Sequence, residues 1–135
     1  MTGETDLGRM LANLDAQARP GDYVMVTLPE SPPIPVDALV QEREGVTVVV
    51  PRDVADARSW GYDVVLAWIT LQVHSSLEAV GLTREVSRTL AEEGIPANML
   101  AGFFHDHVLV PSDRRVDALR TLGSLSAGGA SGPPE

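Results

Sequence analysis

The chain has 135 residues, no cysteine and a formal net charge of −9, and hydrophobic residues make up 44% of it. This length can bury a core, while the absence of cysteine excludes disulfides and thiolate metal sites. All 10 cationic residues are arginine, which excludes lysine-based catalysis, and the acidic balance argues against a nucleic-acid partner.

The first half is predicted to hold two helices, one strand and one hairpin, and the second helix is a short one over Asp53–Ser59. Apolar residues at helical spacing predict a helix from Thr5 to Ala18, which the breaker Arg19-Pro20-Gly21-Asp22 ends. A strand over residues 23–28 follows, and then a proline-rich loop over residues 29–35. A hairpin with strands over residues 38–43 and 46–50 turns at Glu44-Gly45.

A short sequence repeat links the two halves. The run Val48–Asp53 reads Val-Val-Val-Pro-Arg-Asp and recurs as Val-Leu-Val-Pro-Ser-Asp over Val108–Asp113, at an offset of 60 residues (108 minus 48). Each copy predicts a strand that ends at proline and leads into a helix, with Asp53 and Asp113 as N-caps. Self-similarity of this kind indicates a duplicated strand-to-helix unit and favours a binding scaffold over a single catalytic cleft.

The second half is predicted to alternate strands and helices. It begins with a strand over residues 63–74 that has one wholly apolar face, followed by an amphipathic helix over 82–93 that stops at Gly94. A second hairpin follows, with strands over residues 96–103 and 107–110, and then a helix from Pro111 to about 122. A disordered tail rich in Gly, Ser and Pro is predicted over residues 124–135. This order is that of a ferredoxin-like sheet that lacks a final strand of its own.

Two segments of the second half carry a family resemblance. The runs Glu78–Val86 and Leu90–Ile95, between His74–Leu77 and Ala101–Val108, resemble the signature of the ACT domain. The whole chain is similar to small proteins of paired ACT-like domains related to the aspartate kinase regulatory region. The resemblance implies an α+β, ferredoxin-like fold of two fused ACT-like halves, with antiparallel sheets and helices on one face. It also implies an N-terminal ACT-like half over residues 1–62, a C-terminal ACT domain over residues 63–123 and a disordered tail over residues 124–135.

Two positions depart from the family pattern. Val80 stands where the family usually has proline before the glycine, and Pro96 stands where many amino-acid-binding members carry asparagine. The nearest asparagine in this chain is Asn98.

The resemblance implies a non-catalytic regulatory module that binds a small molecule, expected to be an amino acid, at an ACT-type domain interface. Free amides at the start of a helix suit a carboxylate, Gly81 allows close approach to the backbone, and Glu78 can hold an ammonium group. The alternative is that Ser75 or Ser76 caps the helix, with Glu78 as its capping-box partner. The predicted ligand-binding residues are Ser75, Ser76, Leu77, Glu78, Val80, Gly81, Leu82, Asn98 and Met99.

Other interpretations remain open. The chain can be an oligomerisation or partner-binding module without a ligand. His105 and His107 lie on one face of a strand and can share a metal ion, although a polar turn at His105-Asp106-His107 is the favoured interpretation. Trp60 and Trp68 are expected to be core or interface residues.

No enzyme active site, catalytic residue, cofactor or resident metal is predicted, because no spacing supports a nucleophile with its base. No apolar run reaches the length of a membrane span, and the N-terminus lacks a signal-peptide pattern, so we expect a cytoplasmic protein without a membrane partner. Exposed sheet edges favour pairing into a homo-oligomer.

Overall fold

The computed structural model describes residues 11, 13–72 and 79–131 of the chain. These residues form strands β1 to β7, helices α1 to α3 and one 3-10 turn before the last helix. Their bounds in chain order are β1 Asp15–Ala18, β2 Tyr23–Leu28, β3 Ala38–Gln41, β4 Val46–Pro51, α1 Arg52–Ala57, β5 Val65–Gln72, α2 Ala79–Glu92, β6 Asn98–Ala101, β7 Asp106–Pro111, the 3-10 turn Ser112–Arg114, and α3 Arg115–Ser131.

The repeat is confirmed in the structure. Strands β3 and β4 have the same lengths and positions as β6 and β7, at an offset of 60 residues (98 minus 38 and 106 minus 46), and each pair leads into a helical segment. The predicted N-caps are wrong. Pro51 and Pro111 take the N-cap positions without a side-chain cap bond, so Asp53 and Asp113 lie within the first turn. The backbone of each proline is already extended, so the helical segment begins at the next residue.

Two glycines have the backbone conformations that their positions require. Gly94 ends α2 with a φ of +72°, as its predicted role as a helix stop needs. Gly45 closes the β3–β4 turn with a φ of +156°, and a Cβ there would lie only 2.7 Å from the carbonyl oxygen of Leu28. Only glycine fits this turn without displacement of the neighbouring backbone.

All seven strands belong to one antiparallel sheet, and β5 lies at its centre. The strand order is β3-β4-β2-β5-β7-β6, and β1 also pairs with β5. The start of β5 pairs with β2 through Leu66 and Tyr23, and its end pairs with β1 through Ile69 and Ala18. The opposite edge of β5 pairs along its length with β7. One strand therefore serves both halves of the chain.

The sharing of β5 completes two ferredoxin-like units. In the second unit β5, α2, β6, β7 and α3 follow one another, and β1 from the N-terminal end supplies the final strand that the second half lacks. In the first unit β2, β3, β4 and α1 are followed by the start of β5, which pairs beside β2. The segment between Leu28 and Ala38 connects β2 to β3 without a helix. The predicted α+β, ferredoxin-like class is confirmed.

The predicted N-terminal helix is wrong over Asp15–Ala18, which form strand β1. Residues 5–10 and 12 of the same predicted helix lie outside the described residues, and Leu11 is helical. The end of β5 has an edge that β2 does not occupy, and pairing with β1 satisfies the backbone groups there. This non-local pairing outweighs the local helical spacing, because propensity is a weak prior beside tertiary context.

The burial of β5 also differs from the prediction. Strand β5 buries residues on both faces, with Ala67, Ile69 and Leu71 on one side and Leu66 and Trp68 on the other, so the expectation of a single core face is wrong. Residues 73 and 74 of the predicted strand lie outside the described residues.

The C-terminal helix is longer than predicted. Helix α3 continues to Ser131, so residues 124–131 are helical rather than part of a disordered tail, and residues 132–135 lie outside the described part. Leu125 packs against the core, and this tertiary contact favours extension of the helix.

The three described helices all pack on one face of the sheet, as predicted. The core there contains α2 residues Leu82, Val86 and Leu90 and α3 residues Ala118 and Leu122, while Ala55 of α1 joins a neighbouring cluster over the first unit. We call the opposite side, which carries the cluster of Tyr23, Val49, Leu66, Trp68 and Leu109, the open face. No helix among the described residues is long and apolar enough to cross a membrane.

The shared strand predicts that both units unfold together. Ile69 is 0% exposed, and Ile69→Ala should reduce the free energy of unfolding by about 2–5 kcal/mol through a core cavity. Val64→Ala, at a position that is 51% exposed, is the control and should change it by no more than about 0.5 kcal/mol. Urea unfolding followed by circular dichroism and by tryptophan fluorescence should give one coincident transition for each variant. Separate transitions for the two signals would contradict the shared core.

Candidate functional site

The structure describes only part of the predicted ligand site. Ser75, Ser76, Leu77 and Glu78 lie outside the described residues. Val80 and Gly81 lie in the first turn of α2, and Leu82 follows them as a core residue that is 2% exposed. The start of α2 is therefore anchored to the sheet by Leu82 directly after Gly81.

The two predicted residues of β6 point to opposite faces of the sheet. Met99 packs against the same core cluster as Leu82, on the helix side. Asn98 lines a cavity of about 400 Å³ with Met25, Leu66 and Leu109, which lie on the open face or its rim. Alternation along the strand thus directs these two side chains to opposite faces of the sheet.

The histidine pair shows no metal site. In the described part of the chain, no three His, Asp or Glu side chains lie close enough together to hold a metal ion. His105 is exposed, and its carbonyl oxygen accepts from the Gly102 amide at 2.9 Å across the β6–β7 turn. His107 lies on the open face of the sheet, where its Nδ1 is 3.1 Å from the indole nitrogen of Trp68.

The open face carries a cluster that sequence reasoning did not assemble. The two edge strands β3 and β6 line the same cavity of about 440 Å³, which means that the sheet curls toward its open side. Trp68, only 2% exposed, lies between them. We call this site the Trp68 cavity; its polar and aromatic residues are Arg19, Asp37, Trp68 and His107, and residues 38–40 and 99–102 of the edge strands and the turn after β6 complete it.

Arg19 is placed by its backbone as well as by its side chain. Its amide donates to the Trp68 carbonyl oxygen at 2.8 Å, which extends the β1–β5 ladder by one residue. Its guanidinium carbon lies 3.9 Å from the centre of the Trp68 ring, and its Nη1 donates to Asp37 at 2.9 Å. A guanidinium over a tryptophan face is a favourable cation–π arrangement. Arg19 is thus held directly above the buried indole.

The hydrogen bonds of His107 fix its tautomer. An indole N–H can only donate, so the Nδ1 that it contacts must accept and the proton of neutral His107 lies on Nε2. The Thr70 hydroxyl lies 3.0 Å from the same Nδ1. Burial and then the charge of Arg19 lower the pKa of His107 below its ordinary value of 6.5, with a smaller lowering from His105 and an opposing effect of Asp106. Neutral His107 therefore offers one donor, its Nε2–H group.

The residues of this cluster are distant in sequence, which explains why no motif identified them. Arg19 lies in the segment that the sequence predicts to end a helix, and Asp37 follows the proline-rich loop. Trp68 was expected to be a core or interface residue, and it is both buried and part of the cavity. The strand register brings them together, since Arg19 pairs with Trp68 and His107 is directly opposite Thr70.

Comparison with protein families matched ACT domain models to residues 2–67 and 64–124. Among solved structures, a Vibrio cholerae protein of unknown function, described as a possible transport protein, is 34% identical, with 93% of this chain and 99% of that chain covered and a TM-score of 0.83. An Agrobacterium tumefaciens protein is 19% identical over 84% of this chain and 90% of that one, with a TM-score of 0.70.

The regulatory subunit of aspartate kinase from Thermus flavus shares the fold at 13% identity, with 84% of this chain and 96% of that chain covered and a TM-score of 0.58. Comparison with curated protein sequences gave no match. The resemblance to paired ACT-like domains of the aspartate kinase regulatory type is thereby confirmed at the level of family and fold.

The lowered pKa of His107 predicts a loss of stability in mild acid. In the unfolded chain the imidazole of His107 takes up a proton near pH 6.5, whereas in the folded protein its lowered pKa keeps it neutral to a lower pH. The contribution of neutral His107 to the free energy of unfolding is therefore complete above pH 6.5 and is lost as the pH falls below that value. Melting temperatures at pH 7.5 and 5.0 should fall more for the unmodified protein than for His107→Asn, which keeps an acceptor for Trp68 but does not titrate. His105→Asn, at the exposed turn, is the matched control. Equal falls for the unmodified protein and His107→Asn would refute the prediction.

Proposed function

The chain belongs to the ACT domain family, and on this premise we propose that it is a non-catalytic, cytoplasmic regulatory module that binds a small molecule, expected to be an amino acid. The proposed site is the start of α2. Ser75, Ser76, Leu77 and Glu78 precede this helix in the sequence, and Val80, Gly81 and Leu82 belong to its first turn.

The position of Gly81 is the observation that carries the proposal. The amides of the first helical turn have no partner within the helix and attract a carboxylate, and glycine leaves their approach open. Leu82 fixes this turn against the sheet, so the amides are held in place before a ligand arrives. In the proposed complex Glu78 holds the ammonium group and Ser76 adds a hydroxyl. Met99, which packs in the same core as Leu82, supports the site from β6, whereas Asn98 is directed toward the open face.

Regulation requires that the ligand bind two states of the protein unequally. Both ACT-like units share β5, so a ligand that stabilises α2 against the second unit also acts on the strand that carries the first. We propose that this changes how the edge strands β3 and β6 pair in a homodimer or with a regulated partner, since each has one edge without a neighbour in the described sheet.

A second candidate function is a partner-binding module that needs no ligand. Phe103 and Phe104, at the tip of the β6–β7 hairpin, are 95% and 84% exposed and form an edge-to-face pair with ring centres 5.1 Å apart. Exposed aromatic pairs of this kind are typical of contact surfaces. If no small molecule binds, this hairpin tip is where a protein partner should be sought.

Thermal melts against the common amino acids test the proposal. A ligand at 100 times its dissociation constant should stabilise the fold by about 2.7 kcal/mol, which raises the melting temperature by roughly 5–10 °C for a chain of this length. Gly81→Asp should abolish the effect, because its carboxylate competes with that of the ligand for the α2 amides. Gly61→Asp, where a Cβ has no neighbour within 4 Å, is the matched control for an added charge and should keep the response.

The results separate the two candidate functions. A response that is lost in Gly81→Asp and kept in Gly61→Asp supports a ligand-binding regulator with its site at α2. A response that is the same in both variants would count against this site. No response to any amino acid would favour the partner-binding module.

A further inference from the structure

We propose that the Trp68 cavity is a second binding site, separate from the start of α2, and that it takes a small zwitterion, a molecule with one carboxylate and one ammonium group. The inference shares with the proposed function only the premise that this protein responds to small molecules. The site itself is argued from the residues that line the cavity, none of which belongs to the first turn of α2.

The charges in the cavity select the class of ligand. Arg19 is positive, Asp37 is negative and His107 is neutral, so the polar lining has no net charge. A simple anion that approaches Arg19 also meets the Asp37 carboxylate, and a simple cation that approaches Asp37 also meets the guanidinium. A zwitterion satisfies both groups at once, because its carboxylate lies at Arg19 and its ammonium group at Asp37.

Hydrogen-bond donors remain available for the carboxylate. Within the described part of the chain, the side-chain hydrogen bond of Arg19 uses Nη1 only, which leaves Nε and Nη2 for a ligand. The side chains of Arg19 and Asp37 keep exposures of 35% and 29%, so the pair can be reached from solvent. A guanidinium with two adjacent free N–H groups matches the two oxygens of a carboxylate.

His107 and Gly102 also line the cavity. The Nε2–H group of His107 is the donor left over after Trp68 and Thr70 engage Nδ1. A Cβ added at Gly102 would lie 3.2 Å from this Nε2, so the glycine leaves open the space next to the donor. The cavity thus offers donors from Arg19 and His107 above a buried indole.

The dimensions and the walls of the cavity are consistent with a ligand that joins the two units. Its volume of about 440 Å³ lies within the range of roughly 300–1,000 Å³ that is usual for small-molecule sites. One wall is β3 of the first unit and the other is β6 of the second, with Trp68 of the shared strand between them. A bound zwitterion would therefore contact both edge strands of the curled sheet and hold them at a fixed separation.

The fluorescence of Trp68 gives a direct test. Trp60→Phe leaves Trp68 as the sole tryptophan, and its emission should change when a ligand binds to Arg19 above the indole ring. The protein with this change is titrated with glycine, the other common amino acids, β-alanine and glycine betaine. Propionate and ethylamine serve as probes with one charge only. At least one zwitterion should give a saturable change, and both single-charge probes should bind at least tenfold more weakly.

Substitutions assign the response to the cavity. In the same background, Arg19→Gln and Asp37→Asn should each weaken zwitterion binding at least tenfold. Arg58→Gln removes an arginine outside the cavity, which in the unmodified protein lies 5.7 Å from the ring centre of Trp60, and as the matched control it should leave binding unchanged. Melting curves establish that each variant is folded. If Arg19→Gln does not fold, the binding measured for Asp37→Asn decides whether the ligand occupies the cavity.

Three results would overturn the inference: no saturable change with any zwitterion, binding that survives both cavity substitutions, or propionate binding as tight as that of the best zwitterion. Gly81→Asp separates this inference from the proposed function. If the Trp68 response persists in Gly81→Asp, the cavity is a second site. If the thermal response depends on Gly81 while Trp68 stays silent, the proposed function holds and the second site does not exist.

Discussion

Strand β5 is hydrogen-bonded along both edges and buried on both faces, and the rest of the fold depends on it. Its start completes the sheet of the first unit through β2, and its remaining length forms the centre of the second unit between β1 and β7. Helices cover the side of Ala67 and Ile69, while the curl of the sheet encloses Leu66 and Trp68 on the other. A strand in this position leaves neither unit with a complete sheet of its own, and so the duplicated sequence forms one folded body.

The same arrangement places polar and charged side chains between the two units. Because β5 is central, the residues that flank it on the open face come from both halves of the chain, with Arg19 and Asp37 from the first and His107 from the second. The buried Trp68 gives this group a rigid floor, and the hydrogen bond from its indole sets the tautomer of His107. The start of α2 lies on the other side of the sheet, where Leu82 joins the helix-side core. The start of α2 and the Trp68 cavity therefore lie on opposite faces of the sheet that β5 holds together.

Local patterns predicted a large part of the fold. The Val-x-Val-Pro-x-Asp repeat identified the second strand of each hairpin and the helical segment after it, and the alternation in residues 63–74 identified β5 as a strand. The role of β1 was beyond such reasoning, because Asp15–Ala18 become a strand only when the distant edge of β5 needs a partner. The Trp68 cavity was hidden for the same reason, since Arg19, Asp37 and His107 are brought together by strand register and sheet curl. The division into residues 1–62, 63–123 and 124–135 stays a prediction, and β1 and β5 make contacts across its first boundary.

Native-state hydrogen exchange is the most direct test of the claim that β5 makes the two units one cooperative structure. The amides of β4 in the first unit and of β7 in the second should exchange with the same opening free energy, equal to that of global unfolding in urea, since neither sheet persists without the shared strand. Exchange of β4 at a clearly lower free energy than β7, or the reverse, would show that one unit opens while the other stays folded, and would contradict the account.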